Sequence, residues 1–130
     1  MHSPAPRLVL YVEDDRINIV LMEEVFRRLP GWHLECVENG QQAMDLLAST
    51  LRELPELVLI DMNLPDMSGL DLLGHLRGDT RWAHLHCVAL SADDQPEQIV
   101  AARAAGFADY WVKPIDVLKL AAALQNALPA

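Results

Sequence analysis

Leu57-Val58-Leu59-Ile60 is apolar at every position and stops at a carboxylate, Asp61. An apolar run this short, without alternation, fits a strand covered on both faces, which is the condition of a parallel sheet. The pattern recurs. Leu8-Val9-Leu10-Tyr11-Val12 ends at Glu13-Asp14-Asp15, Leu85 to Leu90 ends at Ser91, and Ala108 to Val112 ends at Lys113-Pro114. Trp32 to Val37 supplies one more strand, with partial alternation.

Helical periods lie between the runs. Ile17, Val20, Leu21, Val25 and Leu29 are spaced as the apolar face of a first helix, which Pro30-Gly31 stops. Asn39-Gly40 opens a second helix carrying Ala43, Met44, Leu46 and Leu47. Leu70, Leu72, Leu73 and Leu76 mark a third. Pro96 suits the first turn of a fourth helix, and Gly106 suits its C-terminal cap. Asp116 is placed to cap a fifth, running from Val117 to about Leu128. Strands alternating with helices of this length predict right-handed crossovers and an α/β fold. The expected architecture is a five-stranded parallel sheet, (βα)5, with helices on both faces.

The chain's 130 residues are enough for one domain. Residues 1–6 read as a tail and 7–130 as the domain. Ten basic against nineteen acidic residues give a net charge of −9, which repels nucleic acid and anionic lipid. Neither direct nucleic acid binding nor a membrane span is expected, since no apolar run approaches ~20 residues. Cys36 and Cys87 form no CxxC pattern and read as buried small hydrophobes in a reduced, cytoplasmic setting.

The polar residues gather at the strand ends: Glu13 and Asp14, Asp61, Ser91 and Lys113. In an open parallel sheet all of these reach the carboxyl edge, where ligands bind near a switch in strand order. Carboxylates ~4 Å apart repel by about 4 kcal/mol per pair at an intermediate dielectric. One lysine does not offset three of them, so protonation or a divalent cation must. The hard oxygen donors suit Mg2+ and disfavour zinc. A cation, an ammonium and a hydroxyl around one carboxylate suit phosphoryl transfer onto it.

These motifs resemble the receiver domain of two-component response regulators, whose fold is flavodoxin-like and doubly wound. The resemblance runs from Leu8 to about Leu128. It rests on Val12-Glu13-Asp14-Asp15 with Asn18, and on Leu59-Ile60-Asp61-Met62-Asn63-Leu64-Pro65-Asp66-Met67-Ser68-Gly69. Ala89-Leu90-Ser91-Ala92 and Asp109-Tyr110-Trp111-Val112-Lys113-Pro114 complete it. It implies that Asp61 accepts a phosphoryl group from a histidine kinase or histidine phosphotransfer protein. Asp14 and Asp61 would hold Mg2+, Glu13 through water and Asn63 by its backbone carbonyl. Lys113 would pair with Asp61 and then with the phosphoryl group, and Ser91 would hydrogen-bond it. Ser91 and Tyr110 would form the switch, read out on the face of the fourth helix, fifth strand and fifth helix. Asn63 and Asp93 would tune autodephosphorylation. The implied partners downstream are a protein target or a covalently linked domain, with homodimer formation on phosphorylation as one readout. By this resemblance the chain is a signalling phosphoacceptor rather than an enzyme acting on other molecules.

Asp15, just past the acidic pair, reads as a helix-start acid. A haloacid-dehalogenase-like phosphatase would also use an aspartate nucleophile with Mg2+. It needs a second Asp two residues on, where this chain has Asn63. His84 and His86 could share one side of a strand, but no third metal ligand accompanies them. The sequence reads as a receiver alone, with no output domain expected within these 130 residues. A stand-alone regulator and the receiver of a hybrid kinase or larger regulator both fit the sequence.

Overall fold

The computed structural model describes residues 7–49, 53–116, 118, 120–122 and 124. The expected tail at residues 1–6 and parts of the expected fifth helix lie outside them. The elements run β1 (Arg7–Val12), α1 (Arg16–Arg27), β2 (Trp32–Val37), α2 (Gly40–Leu47) and β3 (Leu57–Asp61). They continue with α3 (Gly69–Arg77), β4 (Cys87–Ser91), α4 (Pro96–Ala105) and β5 (Asp109–Val112). Leu118, Leu120–Ala122 and Leu124 are helical, and Asp116 accepts the Leu118 amide at 2.8 Å.

All neighbouring strands pair in parallel, in the order β2-β1-β3-β4-β5. The chain leaves β1 toward β2 and returns to the other side of β1 as β3. The order therefore switches between β1 and β3, and a crevice opens at their carboxyl ends. β3 is buried at all five positions, as its unbroken apolar run requires.

Strand alternation assigns the faces. Val9, Tyr11, Leu57, Leu59, Val88 and Leu90 pack with Ile19, Met22 and Phe26 of α1 and with Leu120 and Leu124. Leu10, Val12, Val58, Ile60, Ala89 and Tyr110 pack on the opposite face, against α2, α3 and α4. Trp111 turns to the α1 side, away from its neighbour Tyr110. Among the described residues no helix is long and apolar enough to cross a membrane.

Side-chain caps set the helix starts. Asp15 accepts the Ile17 and Asn18 amides at the head of α1, as expected of a helix-start acid. Ser68 and Asp71 form a reciprocal capping box on α3. Gly106 ends α4 at φ +118°, a left-handed conformation that favours glycine.

Four sequence readings are corrected. The sheet-facing residues of α1 are Ile19, Met22 and Phe26, whereas Ile17, Val20 and Leu21 are exposed. Leu70 is also exposed, because α3 packs through Gly69, Leu72, Leu73 and Leu76. His84 and His86 precede β4, whose pairing with β3 starts at Cys87, so they do not share a strand face. Cys36 is half-buried, not buried, because β2 is an edge strand with one neighbour.

Candidate phosphoacceptor site

Glu13, Asp14 and Asp61 converge at the β1–β3 crevice. Each offers one carboxylate oxygen, and the three lie within 4.8 Å of one another. Glu13 is fully buried, Asp61 is 6% exposed, and Asp14 faces solvent. Period-two alternation brings Glu13, Asp61 and Lys113 together. Glu13 just past β1 shares the parity of Tyr11, Asp61 on β3 that of Leu59, and Lys113 just past β5 that of Trp111, so their side chains leave the same side of the sheet.

Lys113 reaches in from the end of β5. Its Nζ donates to Glu13 Oε1 at 2.7 Å and to Asp61 Oδ2 at 3.1 Å. Its amide is anchored on the Ser91 carbonyl, and the Lys113–Pro114 peptide is cis. The other Asp61 oxygen accepts the Asn63 amide at 3.0 Å. Asn63 itself is exposed and bridges to Ser68, which closes the loop after β3.

The electrostatics follow from this crowding. Burial raises the Asp61 carboxyl, as does its hydrogen bond to Glu13, to a pKa of about 6. Burial alone would raise Glu13 too. Hydrogen bonds from Asp61, Lys113 and Tyr11, with the lysine charge, carry it instead to about 2. Lys113 is raised: burial opposes its charge, but the two carboxylates facing it outweigh that cost. Of the pair, Asp61 is therefore the carboxylate that takes up a proton first as pH falls. Three hard oxygen donors beside one ammonium carry excess negative charge, and this donor set fits Mg2+.

Ser91 is buried at the end of β4, on the opposite face parity. Its Oγ accepts the Asp93 amide at 3.1 Å. Asp93 and Ala92 are exposed, and Tyr110 is buried below them. The structure thus gathers Glu13, Asp14, Asp61 and Lys113 at the carboxyl edge. Ser91, Asp93 and Tyr110 form an adjoining group on the other side.

Two residues escaped the sequence reading. Tyr11, 2% exposed, donates its hydroxyl to Glu13 Oε1 at 3.0 Å. The signal was a tyrosine two residues before an acid on one strand. Asp66 accepts the Gly40 and Gln41 amides at 2.9 Å each and ties the loop after β3 to the start of α2. No local spacing reveals a contact across 26 residues.

A sequence profile described as "Response regulator receiver domain" matches residues 9–125. The chain belongs to the response regulator receiver family. It is 33% identical over 123 residues to "Probable transcriptional regulatory protein TcrX" of Mycobacterium tuberculosis, covering 95% of this chain and 50% of that protein. It is 28% identical to "Polar-differentiation response regulator DivK" of Brucella anthropi, covering 95% of this chain and 97% of that one. Among solved structures, a putative response regulator from Chloroflexus aurantiacus superposes with a TM-score of 0.84 at 25% identity, covering 94% of this chain and 97% of that one. The chain spans half the length of TcrX.

Proposed function

We propose that this receiver takes a phosphoryl group onto Asp61. The observation that carries the reading is the Lys113 ammonium, 3.1 Å from a buried Asp61 carboxylate that shares its pocket with Glu13 and Asp14. Asp61 attacks the phosphorus of a phosphohistidine on a histidine kinase or phosphotransfer protein. A P–O bond forms as the P–N bond breaks, and the imidazole leaves. Asp14, Asp61, the Asn63 carbonyl and, through water, Glu13 would hold Mg2+. When bound, the ion neutralises charge on the equatorial phosphoryl oxygens. Lys113 would follow the charge from carboxylate to phosphoryl group, and the Ser91 hydroxyl would donate to a phosphoryl oxygen.

The acyl phosphate is then hydrolysed, with the exposed Asn63 and Asp93 side chains bordering the path of the attacking water. The phosphodonor would dock on α1. Ile17, Val20 and Leu21 stand exposed there, beside a cavity of about 360 Å³ lined by Asn18, Leu21, Val25, Lys113, Pro114 and Ile115. Exposed apolar residues grouped beside a largely apolar cavity, of which Leu21 is part, mark an interaction surface better than a solvated one. On the other side Val100, Val112 and Leu118 are also exposed. They suit readout by the face of α4, β5 and the final helical segment, through a target protein, a linked domain or a second copy. The setting is cytoplasmic in this reading.

Acetyl phosphate and Mg2+ test it. Intact mass should rise by one phosphoryl group in the wild type and not in Asp61→Asn. The same adduct on Asp61→Asn would refute the assignment, and turnover of small phosphate esters would favour an aspartyl phosphatase.

A further inference from the structure

Tyr11 sits where a buried parallel strand ordinarily takes an aliphatic residue. Its neighbours across the sheet and on the same face are Val9, Leu57 and Leu59. A tyrosine there brings a hydroxyl into the core, and a buried hydroxyl needs a partner. That partner is Glu13 Oε1, at 3.0 Å. The contact is built by alternation, since residues two apart on one strand point the same way.

Glu13 has no exposed surface, and three protein donors reach its carboxylate. Oε1 takes the Tyr11 hydroxyl and the Lys113 ammonium, and Oε2 takes the Asp15 amide at 3.3 Å. The lysine is also held by Asp61, and the Asp15 amide is a long donor. The tyrosine is the donor that reaches Glu13 from within the sheet. Burial, and then the Glu13 charge, raise the phenol well above its usual range, so it stays an O–H donor.

We infer that Tyr11 is a positioning residue: its hydroxyl fixes the Glu13 carboxylate, and through the shared oxygen Oε1 it sets where Lys113 stands relative to Asp61. The inference rests on the reading of this pocket as an Mg2+-dependent phosphoacceptor site. Without the hydroxyl, Glu13 is held mainly by Lys113 and is drawn toward it, which loosens the acidic cluster. Partners behind a metal's ligands commonly govern affinity by tenfold or more.

The test is Mg2+ titration by calorimetry on wild type and Tyr11→Phe, each also in a Glu13→Ala background. Phenylalanine keeps the ring and its packing, so the variant folds, which a cooperative melt verifies. The expected result is an Mg2+ dissociation constant raised about tenfold by Tyr11→Phe in the native background and unchanged by it in Glu13→Ala. Acetyl phosphate labelling of Tyr11→Phe should slow at limiting Mg2+ and recover at saturating Mg2+. A merely structural role would lower the melting temperature and leave the dissociation constant alone, and that result overturns the inference. An equal loss in both backgrounds overturns it too. If the wild type neither binds Mg2+ nor labels at Asp61, the phosphoacceptor reading itself fails and this inference with it. Normal wild-type binding with an unaffected Tyr11→Phe removes the inference alone.

Discussion

The Tyr110 hydroxyl donates to the Asp93 backbone carbonyl at 2.6 Å. The Asp93 amide donates to Ser91 Oγ at 3.1 Å. Asp93 is thereby gripped from both sides by the two residues expected to switch. A pull on Ser91 by a phosphoryl group would move the Asp93 backbone, and that movement would load the Tyr110 hydrogen bond. Asp109 extends the path, accepting from Arg103 on α4 at 2.8 Å and from the Trp111 indole at 3.0 Å.

Removing the Tyr110 hydroxyl should therefore cut transmission without touching uptake. With beryllofluoride as phosphoryl mimic, wild-type amide resonances should shift at residues 91–95 and 109–112. In Tyr110→Phe the first set should still shift and the second should shrink. Shifts of wild-type size on β5 would show that the signal does not pass through this hydroxyl. The loss in stability should be small, about 1 kcal/mol for one hydrogen bond.

Lys113→Ala should separate charge balance from chemistry. Glu13, which has no exposed surface in the wild type, loses its ammonium partner at 2.7 Å. Removing one partner of a buried ion pair costs about 3–5 kcal/mol. The metal-free variant should melt well below wild type, and Mg2+ should recover most of the loss by supplying positive charge to the same carboxylates. Phosphoryl uptake should persist while the beryllofluoride-induced shifts on β5 disappear. A variant that melts like wild type without metal would show that the ion pair contributes little.

The sheet was legible because its inner strands are buried on both faces and end in polar residues, a pattern written into Leu57–Asp61 without interruption. The site followed, since parallel topology alone carries five strand ends to one edge. The inward face of α1 was not legible. Ile17, Val20 and Leu21 keep helical spacing as faithfully as Ile19, Met22 and Phe26, so periodicity offers two stripes and cannot choose between them. The choice falls to packing on Val9, Tyr11 and Leu59. The Tyr11–Glu13 bond was hidden for a different reason. A tyrosine in an apolar run reads as core, and nothing in the run tells where its hydroxyl ends.

Asp66→Ala should loosen α2 while leaving the acidic pocket intact. The aspartate accepts two amides in the first turn of α2, which hold its carboxyl below the usual carboxylate range, the Gly40 amide first. Loss of such a cap costs about 1 kcal/mol. Hydrogen exchange should quicken in residues 40–44, with Mg2+ affinity unchanged. Exchange at the wild-type rate would mean that Asn39, which caps the Gln42 amide at 2.8 Å, suffices alone.

Asp61→Asn should stabilise the metal-free protein, and the gain should depend on pH. Burial and the Glu13 carboxylate raise the Asp61 pKa from 3.8 to about 6. Between those values the folded state binds more protons than the unfolded chain, so this group makes stability fall as pH rises toward 6. Above 6 the penalty is complete and stays constant. Asparagine removes the charge and with it the penalty. Unfolding by urea without metal should show the variant ahead by about 1–3 kcal/mol at pH 7.5. That margin should shrink steadily as pH is lowered toward 4. Adding Mg2+ at pH 7.5 should reverse the order, because binding stabilises the wild type in proportion to ligand concentration over its dissociation constant, and asparagine offers the ion a weaker ligand. A margin that does not change between pH 4 and 7.5 would mean that Asp61 is not held above its ordinary pKa.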